Sequence, residues 1–131
     1  NTIFPFLPVM KKQQSGRVGI ISSIASTRGF VGHGGYTASK SAVKFLADSW
    51  GYQLKKNNIS ITTIFPGWIA TEMTENIGYK MWFLMDSDTA ANKIESAINK
   101  GSREYILPWQ WRLIVPLVKV IPRWFVTQFS K

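Results

Sequence analysis

The chain has 131 residues, of which 45% are hydrophobic and 18% charged, a composition ordinary for one globular domain or part of one. It contains no cysteine, which excludes disulfides and thiolate metal sites and fits a reducing, cytoplasmic location. The net charge is +9, but the cations are scattered singly or in pairs. Scattered cations favour solvated surfaces over a nucleic-acid site. No run of 18 apolar residues suggests a membrane span.

The predicted elements alternate between helices and strands. Over 2–14 we expect a helix that is kinked by its prolines or begins anew at Pro8. An apolar strand, buried on both faces, is predicted over 17–23, followed by a glycine-rich loop over 24–35. The later elements are a long helix over 36–57, a strand over 59–65, an irregular aromatic segment over 71–85, a helix over 88–100 and a strand over 104–107. This order predicts a parallel α/β sheet in one domain over 1–108.

The segment 109–131 follows the last predicted strand. It is basic and aromatic, and Pro116 and Pro122 are predicted to break it. We expect this extension to cap a pocket or to contact a partner subunit. Peripheral contact with a membrane is the alternative, because aromatic and basic segments can lie in the membrane interface.

Tyr36 and Lys40 lie four residues apart at the start of the long helix, so their side chains are neighbours on one face. The same face continues as an apolar stripe that must meet the sheet: Val43, Ala47, Trp50 and Leu54. An unperturbed tyrosine has a pKa of about 10, and a nearby ammonium favours its phenolate form. The pair is therefore a candidate general acid/base, although a chance Y-x-x-x-K is common.

The residues that end two predicted strands strengthen the case that Tyr36 and Lys40 are functional. Ser23 ends the first strand, and the run Pro66-Gly67-Trp68-Ile69-Ala70-Thr71 ends the second. In a parallel α/β sheet the carboxyl ends of the strands and the amino ends of the following helices meet at one edge, where ligands bind. All three features are therefore predicted to converge on one site.

These features carry a family resemblance. In order and spacing, Ile20-Ile21-Ser22-Ser23, Tyr36-Thr37-Ala38-Ser39-Lys40 and Pro66-Gly67-Trp68-Ile69-Ala70-Thr71 resemble the short-chain dehydrogenase/reductase family, over about 1–108. The resemblance implies a Rossmann-like three-layer fold with a parallel sheet. It also implies an oxidoreductase that uses NAD or NADP to interconvert an alcohol and a carbonyl by hydride transfer.

The resemblance also implies individual roles. Tyr36 would be the general acid/base, and Lys40 would favour its phenolate and hold the ribose of the cofactor. Ser23 would orient the substrate oxygen beside Tyr36. The remaining cofactor contacts would come from the end of the second strand: Pro66, Gly67 and Ile69 around the nicotinamide, and Thr71 at its carboxamide or at the phosphates.

Other parts of the family pattern are missing. The sequence has no G-x-G-x-x-G phosphate loop, and its clustered glycines precede the catalytic helix, where we expect a substrate-side loop: Gly29, Gly32, Gly34 and Gly35. The Asn-Ala-Gly strand motif is absent, and Asn1 is not assigned the role of the catalytic asparagine. We therefore expect a fragment that holds the last strands and helices, lacks the nucleotide-binding half and is inactive alone.

Two surfaces suggest partners. The long helix 36–57 has small and aromatic residues opposite the sheet: Ala38, Ala42, Phe45, Ser49 and Tyr52. The resemblance implies a homo-oligomer contact through this face, and packing under the first helix is the alternative. The apolar segment from Met73 to Met85 corresponds to the substrate lid of the family. An apolar lid implies an apolar substrate, although plain core packing would explain it equally well.

Two other functions fit parts of the sequence. A Ser-His-Asp hydrolase would use Ser22 or Ser23 with His33 and Asp48, but the sequence lacks the G-x-S-x-G turn of such enzymes. His33, the only histidine, cannot form a metal site alone and is interpreted as a loop residue, with a position near the substrate as the alternative. A non-catalytic binding or dimerisation module is favoured by the missing phosphate loop. It is opposed by the intact set of Ser23, Tyr36 and Lys40.

Overall fold

The protein was described from a computed structural model that covers residues 2–75, 78 and 80–122. The regular elements are α1 (Leu7–Gln13), β1 (Gly16–Ile21), α2 (Gly34–Leu54), β2 (Ile59–Pro66), α3 (Ser87–Asn99), β3 (Glu104–Leu107) and α4 (Trp111–Val120). Short 3₁₀ turns lie at Ile24–Thr27, Lys55–Asn57 and Glu72–Thr74. The three strands form a parallel sheet in the order β1-β2-β3. The predicted α/β class with a parallel sheet is confirmed.

The register brings the carboxyl ends of the strands to one edge. Pairing of β1 with β2 continues beyond the strand, because the N–H of Ser22 donates to the carbonyl of Ile64 at 2.8 Å. Pairing of β2 with β3 likewise continues with the N–H of Gly67, which donates to the carbonyl of Leu107 at 2.7 Å. The residues that follow β1 and β2 therefore start side by side.

Helices cover both faces of the sheet. Under α2 lies one core cluster, with these buried members: Ala47, Leu54, Ile59 and Ile61. Trp50 packs against it, so this part of the predicted stripe does face the sheet. Under α3 lies the second cluster of buried residues: Ile64, Ala90 and Leu107. This arrangement of helix, sheet and helix is the three-layer pattern that the resemblance implied.

The prediction that β1 is buried on both faces is wrong. Its residues alternate between partly buried and exposed, and Arg17 and Ile21 are exposed. On this outer face α3 comes close at Gly19, where an added Cβ would lie 2.3 Å from Cδ1 of Ile98. Among the residues that the structure describes, α3 does not extend over Arg17 and Ile21 on either side of that contact.

Two helix starts differ from the prediction. The first helix begins at Leu7, with Pro8 in its first turn, where the missing N–H has no helical partner to lose. The alternative of a new helix near Pro8 is therefore correct. The long helix α2 begins at Gly34, so Gly34 and Gly35 belong to its first turn and not to the loop.

The predicted break at Pro116 is also wrong. Helix α4 runs through this residue from Trp111 to Val120. Pro116 removes one backbone hydrogen bond on the exposed side of the helix, while Val115 beside it is buried. Tertiary packing therefore overrides the local preference against a helix. The rest of the predicted extension, 123–131, lies outside the described residues. Within the described part, no helix is both long and apolar enough to cross a membrane.

Candidate functional site

A cavity of about 600 Å³ lies at the carboxyl edge of the sheet. Its lining includes six of the predicted site residues: Ser23, Tyr36, Pro66, Gly67, Ile69 and Thr71. His33 and Met73 line it as well. The convergence of the three sequence features on one edge of the sheet is thus a property of the fold.

Lys40 lies one turn behind Tyr36 and does not itself line the cavity. Its ammonium is 5.9 Å from the centroid of the Tyr36 ring. It also donates to the carbonyl of Ile21, the last residue of β1, at 3.3 Å. The positive charge is therefore held between the phenol and the end of the strand, while Tyr36 itself is 47% exposed at the mouth of the cavity.

Ser23 is buried in the turn that follows β1. Its hydroxyl oxygen accepts the N–H of Ala25 at 3.1 Å and so caps the 3₁₀ turn 24–27. A hydroxyl that accepts one bond keeps its own proton for donation. The Ser23 side chain is therefore fixed in place and still able to donate to a bound oxygen atom.

Serine hydroxyls tie this turn to α2. The hydroxyl of Ser22 donates to the carbonyl of Lys40 at 2.9 Å. The hydroxyl of Ser26 donates to the carbonyl of Ser23 at 2.6 Å, and Ser41 on α2 donates to the carbonyl of Ser26 at 3.0 Å. The three candidate catalytic groups thus belong to one hydrogen-bonded unit, and a shift of α2 would also shift the Ser23 turn.

The segment after β2 is held from the opposite side by Met85. The N–H of Ala70 donates to the carbonyl of Met85 at 2.8 Å, and the N–H of Met85 donates to the carbonyl of Trp68 at 3.0 Å. Both bonds involve the neighbours of Ile69, whose own N–H has no acceptor within the described residues. This N–H is therefore a candidate donor to a bound molecule.

The far wall of the cavity comes from α4, which lies in the segment that was expected to cap a pocket or to contact a partner subunit; its continuous helix was not predicted. Its lining residues are Trp111, Val115 and Val118. The Trp111 indole packs on the backbone of Gly67, where an added Cβ would lie 2.3 Å from the indole Nε1. Phe83 meets the same indole edge to face, with ring centroids 6.1 Å apart. The 4-and-3 spacing of the three lining residues was a helical signal, but Pro116 obscured it.

Arg28 holds the end of α4 in place. Its guanidinium donates to the carbonyl of Val118 at 2.6 Å and to that of Ile121. A cation at these carbonyls complements the negative end of the helix dipole. Because Arg28 directly follows the turn that Ser23 caps, it joins this turn to the apolar wall. Nothing in the sequence marked this residue.

Comparison with known proteins settles the family. The profile described as short chain dehydrogenase matches residues 1–82. The chain belongs to this family. An uncharacterized oxidoreductase of Myxococcus xanthus is 31% identical over 121 residues, which are 92% of this chain and 48% of that protein. The chain thus spans about half the length of this curated relative.

Solved structures support the fold. A short-chain dehydrogenase from Burkholderia cenocepacia in complex with NADP gives a TM-score of 0.78 at 17% identity, over 98% of this chain and 53% of that one. A 7α-hydroxysteroid dehydrogenase complexed with NADH and 7-oxo glycochenodeoxycholic acid gives a TM-score of 0.65 at 22% identity, over 76% of this chain and 45% of that one. The Rossmann-like fold is confirmed.

The predicted lid is divided between two places. Met73 lines the main cavity, whereas residues 83–85 line a smaller cavity of about 300 Å³ beside β3. Met85 also packs against the second core cluster. Positions 76, 77 and 79 lie outside the described residues. The lid role stays a prediction for Met73, and core packing accounts for Met85.

The structure argues against the Ser-His-Asp hydrolase, because Asp48 does not lie at the same site as Ser23 and His33. Asp48 pairs with Lys44 at 3.2 Å and with Arg103 at 3.8 Å, and it lines a different cavity from Ser23 and His33. His33 does line the main cavity. Among the described residues no cluster of three or more His, Asp or Glu side chains could hold a metal ion.

Proposed function

We propose that the protein that contains this chain is an NAD(P)-dependent oxidoreductase that interconverts an alcohol and a carbonyl by hydride transfer. The observation that carries the proposal is the placement of Ser23 and Tyr36 on one cavity, with the Lys40 ammonium 5.9 Å from the phenol ring. Membership of the short-chain dehydrogenase family supports it.

Tyr36, Ser23 and Lys40 would each have a separate role in one proton transfer. In carbonyl reduction the Tyr36 hydroxyl would give its proton to the carbonyl oxygen, and in alcohol oxidation the phenolate would take that proton back. Ser23 would donate a hydrogen bond to the same oxygen and so fix its direction. The positive charge of Lys40 would stabilise the phenolate that remains after proton donation. The half-exposed position of Tyr36 would let water restore the proton.

The residues present fit the nicotinamide end of the cofactor, which supplies or accepts the hydride when bound. Lys40 and Tyr36 offer donors for ribose hydroxyls, and the Ile69 N–H without an acceptor suits the carboxamide. Pro66, Gly67 and Thr71 would complete that wall. The bound NADP and NADH of the two structural relatives support a cofactor of this class. The sequence has no G-x-G-x-x-G, so we expect the 131-residue chain alone to bind it weakly.

The lining of the cavity favours an apolar substrate. Facing Tyr36 are mainly hydrocarbon and aromatic side chains: Ile24, Phe30, Met73, Trp111, Val115 and Val118. Among the described residues, no Asp, Glu, Lys or Arg lines the cavity, so binding would depend on apolar contact and on one polar oxygen held by Ser23 and Tyr36. The steroid ligand of the 7α-hydroxysteroid dehydrogenase is consistent with such a site.

A non-catalytic dimerisation module is the second candidate, and the outer face of α2 favours it. All five predicted contact residues are exposed there, so packing under α1 is wrong: Ala38, Ala42, Phe45, Ser49 and Tyr52. We keep a homo-oligomer through this helix, and membrane contact through the C-terminal segment, as proposals. An oligomer is compatible with catalysis, so cofactor binding decides between the candidates.

The decisive experiment uses the full-length protein and its Tyr36→Phe variant. NADH and NADPH oxidation are followed with a panel of apolar aldehydes and ketones, and cofactor affinity is followed by fluorescence. We expect Tyr36→Phe to lower kcat by at least about 100-fold, the lower range for general acid catalysis, with nearly unchanged cofactor affinity. Tyr52→Phe, on the outer face of the same helix, is the control and should retain activity.

Two results would overturn the proposal. Substantial turnover by Tyr36→Phe would refute the mechanism. A full-length protein that binds neither NADH nor NADPH would favour the non-catalytic module.

A further inference from the structure

Helix α4 has a second apolar face that points away from the cavity. While Trp111, Val115 and Val118 line the cavity, the opposite side of the helix exposes Leu113 at 65%, Leu117 at 62% and Val120 at 76%. Trp109, just before the helix, is exposed as well. Single exposed apolar residues are normal, but a row of three along one helix beside an exposed tryptophan forms a patch that marks an interaction site.

Basic residues border this outer row. At about 100° per residue, Arg112 and Lys119 share one side of α4, between the inner face and the outer row. Both are exposed. After Glu104 the sequence contains no acidic residue, and its cations are Arg112, Lys119, Arg123 and Lys131. The patch therefore combines apolar side chains with positive charges that no nearby carboxylate in the sequence balances.

The charge pattern argues against a second copy of the chain on this face. A two-fold contact through α4 would bring Arg112 and Lys119 of one copy towards those of the other, and like charges at an interface disfavour association. A suitable partner must accept the apolar row and also balance the charges of Arg112 and Lys119. A surface with a negatively charged layer over an apolar interior does both. A bilayer with anionic lipids is such a surface, since it takes apolar side chains at the acyl boundary and cations at the headgroups.

We infer that the outer face of α4 docks onto a membrane surface that contains anionic lipids. Leu113, Leu117 and Val120 enter the boundary between headgroups and acyl chains, and Arg112 and Lys119 contact the lipid phosphates and carboxylates. The inner face of the same helix would then place the cavity one helix away from the bilayer. The inference does not rest on the proposed hydride transfer, because lipid binding is measured without cofactor or substrate.

The test is co-sedimentation of the full-length protein with vesicles of pure phosphatidylcholine and with vesicles that also contain phosphatidylserine. We expect binding to the phosphatidylserine vesicles that weakens as salt rises, and much weaker binding to the neutral ones. The double variant Arg112→Gln/Lys119→Gln should bind the anionic vesicles roughly 30-fold more weakly, since each cation near such a surface contributes about a fivefold factor.

The apolar row is tested separately with Leu113→Glu/Leu117→Glu, which should abolish sedimentation while circular dichroism stays unchanged. Leu46→Glu is the matched control, because Leu46 is 46% exposed on α2 and should leave binding intact. Equal binding to neutral and anionic vesicles, no binding at all, or equal losses from Leu46→Glu would overturn the inference. So would a vesicle-free dimer that Leu113→Glu/Leu117→Glu dissociates, since a second copy would then be the occupant.

Discussion

The two sides of the main cavity differ in how they are built. The polar side consists of residues that directly follow strands or begin a helix, with Ser23 after β1 and Tyr36 in the first turn of α2. The apolar side consists of α4, which returns to the cavity only after β3. The polar side is fixed by hydrogen bonds such as that from Ser22 to Lys40, whereas the apolar side depends on the packing of Trp111. The positions of the candidate catalytic residues therefore follow from the ends of strands and the start of a helix, whereas the shape of the cavity depends on a segment distant in the chain.

The largest effect is expected on the polar side, from the loss of the ammonium. Under the proposed mechanism, Lys40→Met should lower kcat by about 10²–10⁴-fold, because the site would lose the ammonium beside Tyr36, and should also weaken cofactor binding. Lys44→Met is the matched control, one turn further along α2, where Lys44 pairs with Asp48 instead. Steady-state kinetics of the full-length protein check both. Similar losses in the two variants would mean that helix stability is the cause and not the charge at the site.

The contact between the two sides is tested by Gly67→Ala. The new methyl group would lie 2.3 Å from Nε1 of Trp111, so the indole must move and α4 must give way. We expect a loss of about 1–3 kcal/mol in the free energy of unfolding, typical of overpacking, and a higher KM for bulky apolar substrates. Gly29→Ala is the control, since an added Cβ there has no neighbour within 4 Å.

A double-mutant cycle sharpens this result. Once Trp111 is replaced by alanine, Gly67→Ala should cost far less, and the difference is the coupling energy between the two sides. Chemical denaturation of the four proteins measures it. Additive effects would show that the two sides of the cavity are energetically independent.

The difference between the polar and the apolar side also explains which parts of the structure could be predicted from the sequence. The order of strands and helices was predictable, because apolar runs, glycines and prolines mark their ends locally. The positions of Ser23, Tyr36 and Thr71 followed from the geometry of parallel strands, which places their carboxyl ends together. The long-range contact that brings them to the same edge is the pairing of β1 with β2, which the two apolar strand patterns themselves predict.

The helix that forms the apolar wall could not be predicted from local sequence patterns. Its spacing is helical, but Pro116 predicts a break. The contacts that hold the helix are the packing of Trp111, the burial of Val115 and the cap from Arg28, all of them tertiary. Arg28 and Val118 are 90 residues apart in the chain, so no local pattern connects them. The one-sided exposure of β1 was missed for a similar reason, since it depends on where α3 crosses at Gly19.

A smaller effect is expected from Arg28, whose guanidinium connects the Ser23 turn to the end of α4. Arg28→Ala should cost about 1–2 kcal/mol of unfolding free energy, because the carbonyls of Val118 and Ile121 lose a charged donor at the helix end. Arg28→Lys should recover only part of it, since an ammonium cannot reproduce the planar fork of a guanidinium. Arg112→Ala, on the exposed part of α4, is the control. Thermal unfolding of all three variants would show whether the cap, and not merely positive charge, holds the apolar wall.

The smallest effect concerns Asp86, which caps α3. It directly follows Met85, whose backbone hydrogen bonds hold the segment after β2 at the cavity. The backbone N–H of Thr89 donates to the Asp86 carboxylate at 2.9 Å and lowers the pKa of that carboxyl below its ordinary value. Because the folded pKa is lower than the unfolded one, the stabilisation is complete above the unfolded pKa and is lost as the pH falls through the folded pKa. Asn caps a helix about as well as Asp but does not titrate.

The wild type should therefore have a higher Tm than Asp86→Asn near neutral pH, and this advantage should shrink below about pH 4, where the carboxylate becomes protonated. Thermal unfolding of both proteins across that range measures the difference. Curves that stay parallel down to low pH would show that the charge of Asp86 contributes nothing beyond its hydrogen bond. The support of the polar side by α3 would then rest on packing, as the apolar side does.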